Sequence, residues 1–357
     1  MGNTGGKDNT TAEIEKKMQE ANKMQQASPA LLLLGAGESG KTTLLRQMRH
    51  IWGKQFQFQE RQIYAKIIWE NILECMQTLC TQSKRLSEQY ADCKTEEKNE
   101  ETIQEVMAIK KHKFELFDDK LCETFFTLWS DPGIQHTLTH RDKYYLMDSC
   151  DYFFSNLKRF VGEDFCPTFE EMCRSRARTS GVSKESFMVN GICFNVFDFG
   201  GQKSERRKWL TVIDDVTALI YVCSLAGYPQ VIFEDNASNR LIESFNVYQE
   251  YINHKSFVKI NVILFLNKSD LFDEMIKTIP FTVCPLQDFK GKENDKDEVV
   301  KYIIDVFKKR TVGYDTGQRS IFPHITCATN TENVKFVFSA VQHIVLKDHL
   351  KAGAILN

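Results

Sequence analysis

Apolar positions along the chain fall into short continuous runs that are separated by stripes at helical spacing. The run Ala30 to Leu34 leads into a glycine-rich segment and then into the helix-forming stretch Thr43 to Met48. Further apolar runs at 218–223, 260–266 and 321–326 alternate with helical stretches. Alternating strands and helices predict a mostly parallel sheet with helices on both faces.

The second half of the chain also carries the pattern of a hairpin and of a long final helix. Segments 186–189 and 192–198 alternate as strands do, and Asn190 and Gly191 between them are the residue pair favoured in tight hairpin turns. The final helix is predicted over 332–350. Its apolar stripe consists of Val334, Val337, Phe338, Val341 and Val345.

A long interval between the first helix and the second strand, roughly 56–173, is almost wholly helical in pattern. Shorter helical patterns at 114–129 and 144–160 are separated by a turn that we predict at 131–133, where the sequence is Asp-Pro-Gly. The longest stripe extends over about five helical turns. Its members are Ile63, Ile67, Ile68, Ile72, Met76 and Leu79.

These patterns predict three parts of the chain. Residues 1–28 form an N-terminal helix, because Ile14, Met18, Ala21 and Met24 recur at helical spacing before Pro29. Residues 29–56 and 177–357 form an α/β nucleotide domain. Residues 57–176 form an all-α domain inserted into it, linkers included.

Composition restricts the class of protein without identifying it. The 357 residues are 42% hydrophobic and 26% charged, which is typical of a globular protein, and the length suggests two domains. A formal net charge of −2 gives no electrostatic reason to expect a nucleic-acid partner. Eleven cysteines without a CxxC pair, and the lack of a signal-peptide pattern, predict reduced thiols in a cytosolic protein. No apolar run is long enough to span a bilayer.

Residues 35–42, Gly-Ala-Gly-Glu-Ser-Gly-Lys-Thr, have the pattern of a phosphate-binding loop. Glycines allow the backbone to wrap around a polyphosphate so that successive N–H groups point inward. Lys41 can then reach the β- and γ-phosphates, and the Thr42 hydroxyl can ligate Mg²⁺. Because a strand precedes this loop and a helix follows it, the sequence predicts binding of a nucleoside phosphate.

A second segment, Asp198-Phe199-Gly200-Gly201-Gln202, follows a predicted strand. An acid there can hold a Mg²⁺-bound water, and Gly201 allows an N–H to approach a γ-phosphate. Gln202 can then project towards the attacking water. Without the other motifs, a polar turn after a strand is the alternative interpretation.

Two later segments point to the base. In Asn267-Lys268-Ser269-Asp270, the carboxylate can accept hydrogen bonds from the ring N–H and the exocyclic amine of guanine, which adenine does not offer. Asn267 and the stem of Lys268 are predicted to brace the phosphate loop and to cover the base. In Thr326-Cys327-Ala328-Thr329, a small residue would let a backbone N–H reach the guanine carbonyl.

These motifs, in this order and with the helical insertion, resemble the alpha subunits of heterotrimeric G proteins. Segments 128–131 and 147–149 of the insertion share the likeness, which covers the whole chain. Small Ras-like GTPases are similar in the nucleotide motifs but lack such an insertion. The resemblance implies a P-loop NTPase (Ras-like) α/β domain with an inserted all-α domain.

The resemblance also implies roles for residues that the pattern alone would not single out. The stretch 174–181, which otherwise reads as a solvated basic linker, is similar to the first switch of the family. Arg176 would be the arginine finger and Thr179 a Mg²⁺ ligand beside Thr42, while Arg206 would pair with Glu243 in the GTP state. An exposed salt bridge of little value is the alternative for that last pair.

The predicted catalytic residues are Gln202, Arg176 and Lys41. The predicted nucleotide-binding residues are Gly37, Glu38, Ser39, Gly40, Lys41, Thr42, Thr43, Ser149, Cys173, Arg174, Arg176, Thr179, Asp198, Gly201, Asn267, Lys268, Asp270, Leu271, Cys327 and Ala328. Phe199 and Lys203 belong to the segment that is similar to the second switch of the family, where valine and arginine are usual, and we expect both on the surface that partners contact.

The resemblance implies a GTP-binding switch that exchanges GDP for GTP, signals in the GTP state and inactivates itself by slow, Mg²⁺-dependent hydrolysis. It implies a beta-gamma dimer on the N-terminal helix and second switch, and a seven-helix receptor on the C-terminal helix. Effectors and RGS-type GTPase-activating proteins would bind the switches. A P-loop kinase or ATPase, and a nucleotide-locked scaffold with little hydrolysis, are the alternatives.

The expected location is cytoplasmic, at the inner face of the plasma membrane. Gly2 could accept myristate, although the motif prefers Ser or Thr where Gly6 stands. No cysteine precedes Cys75, so no N-terminal palmitate is expected. A single myristoyl chain anchors weakly, which leaves stable attachment to a partner subunit. From composition alone, a solvated and partly disordered extension is the alternative to the N-terminal helix.

Overall fold

The structure is a computed structural model that describes residues 28–210 and 216–354, with side chains as far as residue 345. The predicted N-terminal helix and Gly2 therefore lie outside the described residues. In the part of the chain that is described, no helix combines the length and the hydropathy needed to cross a membrane.

One mixed sheet forms the centre of the α/β domain. Its strands are β1 (Ala30–Leu34), β2 (Val182–Val189), β3 (Ile192–Phe199), β4 (Ala218–Ser224), β5 (Val262–Asn267) and β6 (Ile321–Ile325). Their spatial order is β2-β3-β1-β4-β5-β6. Neighbouring strands are parallel except for β2 and β3, which form the predicted antiparallel hairpin. The predicted α/β fold with a mostly parallel sheet is confirmed.

The helices cover the sheet and also form a second body. They are α1 (Lys41–Trp52), α2 (Phe58–Leu86), α3 (Glu100–Ala108), α4 (Asp119–Trp129), α5 (Pro132–Thr139), α6 (Cys150–Ser155), α7 (Phe169–Arg174), α8 (Arg240–Ile252), α9 (Ser269–Thr278), α10 (Lys296–Lys309) and α11 (Thr331–Ala354). Short 3₁₀ turns lie between several of them. Helices α2 to α7 all fall between β1 and β2 in the chain, as the insertion predicts.

Strand β1 shows why the sheet is central. Its four leucines, Leu31 to Leu34, have no exposed surface. Leu32 and Leu34 pack in the core on one face of the sheet, whereas Leu31 and Leu33 pack in the core on the other. A strand that is buried on both faces reads as a continuous apolar run, and this is the run that marked it in the sequence. The carboxyl end of β1 is thereby fixed in the middle of the sheet, where the phosphate loop begins.

The helical part has its own hydrophobic core, which contains buried residues between 65 and 165. Ile68, Ile72, Met76 and Leu79 of α2 are buried there, as the stripe predicted. The prediction was wrong for Ile63, which is 64% exposed, because it precedes Ala65, the first residue of α2 that is buried in this core. The domain limits at 57 and 176 stay predictions.

Two turns show how local chemistry sets the ends of elements. Asn190 and Gly191 have φ angles of 50° and 80°, the left-handed values that a tight hairpin turn requires. The separate turn predicted at 131–133 is instead the start of α5. The carboxylate of Asp131 accepts the backbone N–H of Gly133 at 2.8 Å, and Pro132 occupies the first helical position.

Candidate nucleotide-binding and catalytic site

A cavity lies where the parallel strands end, between the sheet and the helical part. Segments after β1, β3, β5 and β6 contribute to its wall, as expected for a ligand site in an open α/β sheet. The predicted site residues that line it are Gly37, Glu38, Gly40, Lys41, Thr42, Thr43, Ser149, Cys173, Arg174, Arg176, Thr179, Gly201, Gln202, Asn267, Lys268, Asp270, Leu271 and Ala328. Ser39, Asp198 and Cys327 lie behind this wall.

The phosphate loop approaches its neighbours so closely that glycine is required. Gly40 has φ 102°, and a Cβ atom there would lie 2.1 Å from Nδ2 of Asn267. That same Nδ2 donates a hydrogen bond to the carbonyl of Ser39 at 2.8 Å. Asn267 therefore braces the loop, as predicted from the sequence, and Ser39 contributes its backbone to this contact.

Lys41 is held at the base of the cavity with 5% of its surface exposed. Its Nζ donates to the carbonyls of Gly35 and Ala36, each at 2.9 Å. Burial lowers the pKa of Lys41 to about 8, because desolvation disfavours its charged form. A phosphate beside Nζ would favour the charged form again, so the ammonium is placed for an anionic ligand.

Three oxygen-bearing side chains meet beside Lys41. Thr42 Oγ1 lies 2.7 Å from Thr179 Oγ1, and it donates to Asp198 Oδ2 at 2.8 Å. Burial raises the pKa of Asp198, and its other oxygen, Oδ1, is buried without a hydrogen-bond partner in the described part of the chain. Hydroxyl and carboxylate oxygens are the ligands that Mg²⁺ prefers. The donor set and the unpartnered oxygen therefore fit a magnesium ion held by Thr42 and Thr179, with Asp198 behind them.

Such an ion would be bound differently from one in an all-protein cage. No cluster of three or more His, Cys, Asp or Glu suited to a metal occurs among residues 28–210 and 216–354. Mg²⁺ commonly keeps several waters and takes one or two protein ligands together with substrate phosphates. The sparse protein contribution here is of that kind.

The structure does not bring Arg176 to Gln202. The Arg176 guanidinium contacts Glu38 at 2.8 Å and Glu74 of α2 at 3.5 Å. Gln202, which is 8% exposed, accepts a hydrogen bond through Oε1 from Nε of Arg178. Arg176 and Gln202 line the same cavity, as does Lys41, but the arginine in contact with Gln202 is one that the sequence analysis did not single out.

The predicted Arg206–Glu243 pair is formed. Arg206 NH1 donates to Glu243 Oε1 at 2.7 Å, and the two side chains are only 8% and 14% exposed. Arg206 Nε also donates to the carbonyl of Gly201 at 3.0 Å. The alternative of an exposed salt bridge of little value is therefore wrong: this pair ties the second switch segment to α8.

The base motifs also come together. Asn267 Oδ1 accepts the backbone N–H of Ala328 at 2.9 Å, so in this structure that N–H serves to join the two motifs. The backbone N–H of Cys327 donates to Asn333 at 2.9 Å, and Cys327 does not line the cavity. Asp270, in the first turn of α9, is exposed at the cavity.

Helical-part residues close the cavity from the other side. The Ser149 hydroxyl donates to the carbonyl of Arg174 at 2.8 Å, and Thr43 donates to the carbonyl of Cys173 at 3.3 Å. These bonds hold the segment before Arg176 against α1, through Thr43, and against the start of α6, through Ser149. Cys173 and Arg174 are held at the site by these bonds to their backbone carbonyls, not by their side chains.

Sequence reasoning missed a set of charged residues that join the two parts of the chain. Asp148 accepts from Lys268 at 2.5 Å, from Gln230 at 2.9 Å and from Arg240 at 3.4 Å. Burial alone would raise the pKa of Asp148, but Lys268 and Arg240 outweigh it and hold the pKa well below its usual range. The sequence did contain a signal for Asp148, because it stands between Met147 and Ser149 in a segment that resembles the family.

Asn71 of α2 is a second missed residue. It is 2% exposed, accepts the backbone N–H of Arg176 at 2.7 Å and donates to the carbonyl of Arg176 at 3.0 Å. A buried amide on a mostly apolar helix needs partners, so Asn71 beside the apolar stripe was a signal in the sequence.

Comparison with known proteins agrees with this geometry. The family model described as G-protein alpha subunit matches residues 8–345. The guanine nucleotide-binding protein G(o) subunit alpha of Geodia cydonium is 34% identical over 96% of this chain and 94% of its own length. The guanine nucleotide-binding protein alpha-16 subunit of Caenorhabditis briggsae is 35% identical over 98% of each chain. This chain belongs to the family of G-protein alpha subunits.

Proposed function

We propose that this alpha subunit ends its own GTP-bound state by hydrolysing GTP with the help of Mg²⁺. Membership of the family makes the chain a GTP-binding switch in signal transduction. The observation that carries the proposal is the meeting of Lys41, the Thr42–Thr179 pair and Gln202 around one cavity. A nucleotide-binding protein without hydrolysis would need the first two features but not a buried glutamine beside the phosphate loop.

Mg²⁺, held by Thr42 and Thr179, would neutralise charge that develops on the phosphate oxygens. Asp198 accepts a hydrogen bond from Thr42 and so orients its hydroxyl. The Lys41 ammonium would contact the β- and γ-phosphates, where its charge is worth most because water is largely excluded. Gln202 would orient the attacking water, and Arg176 would stabilise the transition state once it leaves Glu38.

Hydrolysis would reset the switch through the same residues. Loss of the γ-phosphate removes the ligand that holds the segments around Thr179 and Gly201 together. Arg206 connects Gly201 to Glu243, so release of Gly201 would free the second switch segment from α8. The chemistry and the conformational change therefore share one set of contacts.

Alpha subunits of this family work with beta-gamma dimers, receptors and effectors. For this chain we propose the beta-gamma dimer on the N-terminal helix and second switch, and a seven-helix receptor on the C-terminal helix. Effectors and RGS-type proteins would bind the switch segments. We also propose a position at the inner face of the plasma membrane, with or without myristate on Gly2.

The test is single-turnover hydrolysis of GTP, started by adding Mg²⁺ to nucleotide-loaded protein. We expect slow hydrolysis that Gln202→Leu or Arg176→Cys reduces by about 100-fold, since each would remove a transition-state contact. ATP should not be hydrolysed. Gln249→Leu, on the exposed face of α8, is the matched control and should hydrolyse GTP normally.

Arg176 is held by two carboxylates, so the assay could also show no hydrolysis. Tight GTP binding without hydrolysis in the wild type would contradict the proposal and favour a nucleotide-locked scaffold. Equal hydrolysis by the wild type and Gln202→Leu would instead show that Gln202 does not orient water.

A further inference from the structure

Two carboxylates from different parts of the chain hold the guanidinium of Arg176. Glu38 belongs to the phosphate loop and lies 2.8 Å from NH2, while Glu74 belongs to α2 and lies 3.5 Å from NH1. The three side chains are between 15% and 27% exposed. Because water screens them only partly, both contacts bias where the guanidinium points.

The backbone of Arg176 is fixed independently of these ion pairs. Asn71, three residues before Glu74 on the same face of α2, bonds both the N–H and the carbonyl of Arg176. Loss of the Glu74 carboxylate would leave these two bonds in place. Loss of this carboxylate would therefore change what holds the side chain and not the position of the residue.

Aromatic rings favour the same orientation. The Arg176 guanidinium carbon lies 4.9 Å from the ring centre of Tyr145 and 4.8 Å from that of Phe233. Cations are attracted to ring faces at such distances. The guanidinium is thus held in a pocket made of rings and carboxylates, whereas Gln202 is contacted by Arg178.

We propose that Glu74 is a positioning residue that holds Arg176 away from the reacting phosphate and thereby slows hydrolysis. This inference rests on the proposed GTPase function. Both terminal nitrogens of Arg176 already contact carboxylates, NH2 with Glu38 and NH1 with Glu74. A turn of the guanidinium towards the γ-phosphate has to break at least one of these contacts, so the carboxylate competes with the transition state. The two oxygens of Glu74 have different partners, since Oε1 lies 3.5 Å from Arg176 and Oε2 lies 2.8 Å from Lys111.

The test compares Glu74→Gln with the wild type in single-turnover hydrolysis of preloaded GTP, which separates the chemical step from nucleotide exchange. We expect Glu74→Gln to hydrolyse GTP about two- to fivefold faster, the range that fits loss of one partly exposed ion pair. Glu70→Gln is the matched control, because Glu70 lies one turn earlier on α2 and contacts Lys111 at 3.9 Å. It should leave the rate unchanged.

The same substitution in a protein that lacks Arg176 tests whether Glu74 acts through Arg176. In Arg176→Met protein, which should be slow, adding Glu74→Gln should not change the rate. Acceleration that persists in this background would overturn the inference, since a general loosening of α2 would then be the cause. An unchanged or slower rate for Glu74→Gln alone would also overturn it.

These outcomes are separate from failure of the proposed function. Hydrolysis by the wild type that Glu74→Gln does not accelerate overturns only the role of Glu74. Absence of hydrolysis in both the wild type and Glu74→Gln overturns the GTPase proposal and the inference together.

Discussion

We expect the choice of base to depend on Asp270. It stands in the first turn of α9 and lines the cavity, and it is exposed there. A guanine ring would cover this carboxylate and offer it two donors. An adenine ring would cover it and leave it unpaired, which is the costlier outcome.

Asp270→Asn should therefore weaken GTP binding and shift preference towards xanthine nucleotides. An amide can donate to the xanthine carbonyl that replaces the amine of guanine. We expect the ratio of GTP to XTP affinity to fall by about 100-fold, as measured by competition binding. Glu274→Gln, an exposed site on the same helix, is the control. Unchanged selectivity for guanine in Asp270→Asn would show that the base is read elsewhere.

At the residue scale, the sequence predicted which side chains surround the cavity better than it predicted where they point. Lys41, Thr42 and Asp198 sit in short motifs whose spacing fixes their geometry. Arg176 has a long side chain, and the direction of that side chain depends on Glu38 and Glu74. Both glutamates are more than 100 positions away in the sequence, so no short motif contains them together with Arg176.

Two departures from the family pattern illustrate the same limit. Phe199 was expected on the surface that partners contact, but it has no exposed surface and packs in the core beside Trp209. That expectation was wrong because Phe199 is the last residue of β3, in a sheet that carries a hydrophobic core on each face. Lys203 is exposed and pairs with Asp235 at 3.2 Å.

At the scale of elements, the segment after β3 meets the phosphate loop at Gly201. A Cβ atom on Gly201 would lie 2.3 Å from Nζ of Lys41 and 2.6 Å from the carbonyl of Ala36. The neighbouring Gly200 carbonyl accepts the indole N–H of Trp209 at 3.0 Å, and Trp209 is fully buried. Any shift of Gly201 therefore changes the surroundings of Trp209.

Gly201→Ala should prevent this close approach and leave the second switch segment open. We expect the change in tryptophan emission on replacing GDP with a non-hydrolysable GTP analogue to fall by about tenfold, since overpacking of this kind costs on the order of 2 kcal/mol. GDP binding and thermal unfolding should change little. Trp209→Phe identifies the reporter, because it should abolish the signal in the wild-type background. A full emission change in Gly201→Ala would mean that the loop yields to the extra methyl group.

Elements themselves were predictable where their signals are local. The hairpin turn, the β1 run and the stripe of α11 depend on residues a few positions apart. The prediction of a separate turn at 131–133 was wrong because Asp, Pro and Gly are favoured both in tight turns and at the start of a helix. The helix forms because Thr137 and Ile134, which follow on α5, are both fully buried against the rest of the helical part.

At the scale of the whole molecule, a continuous chain of alternating charges joins the helical part to the α/β domain. Each member lies within 3.5 Å of the next. Its members, in order, are Lys111, Glu74, Arg176, Glu38, Arg240, Asp148 and Lys268. This series of charged residues crosses between the two parts more than once and borders the nucleotide cavity. Sequence patterns could not reveal it, since most of its pairs join residues from distant elements.

Asp148 is the member best placed to control nucleotide release, because it holds three partners from the α/β domain while lying in the helical part itself. Asp148→Asn should weaken these contacts and speed GDP release by about tenfold or more, since it takes the carboxylate from Lys268 and leaves Arg240 paired with Glu38 alone. Release can be followed with a fluorescent GDP analogue. Asp151→Asn is the matched control, because Asp151 pairs with Arg141 inside the helical part.

The pH dependence distinguishes this ionic role from simple packing. The pKa of Asp148 is lowered in the folded protein, so its carboxylate contributes stability at pH values above its unfolded pKa and loses it only as pH falls through the lower folded value. The ratio of the Asp148→Asn release rate to the wild-type rate should therefore be the same at about pH 6 and about pH 8, and should shrink only in acid below about pH 4. A ratio that changes between pH 6 and pH 8 would show that another titrating group controls release. A ratio near one at both would show that the two parts are held together without this carboxylate.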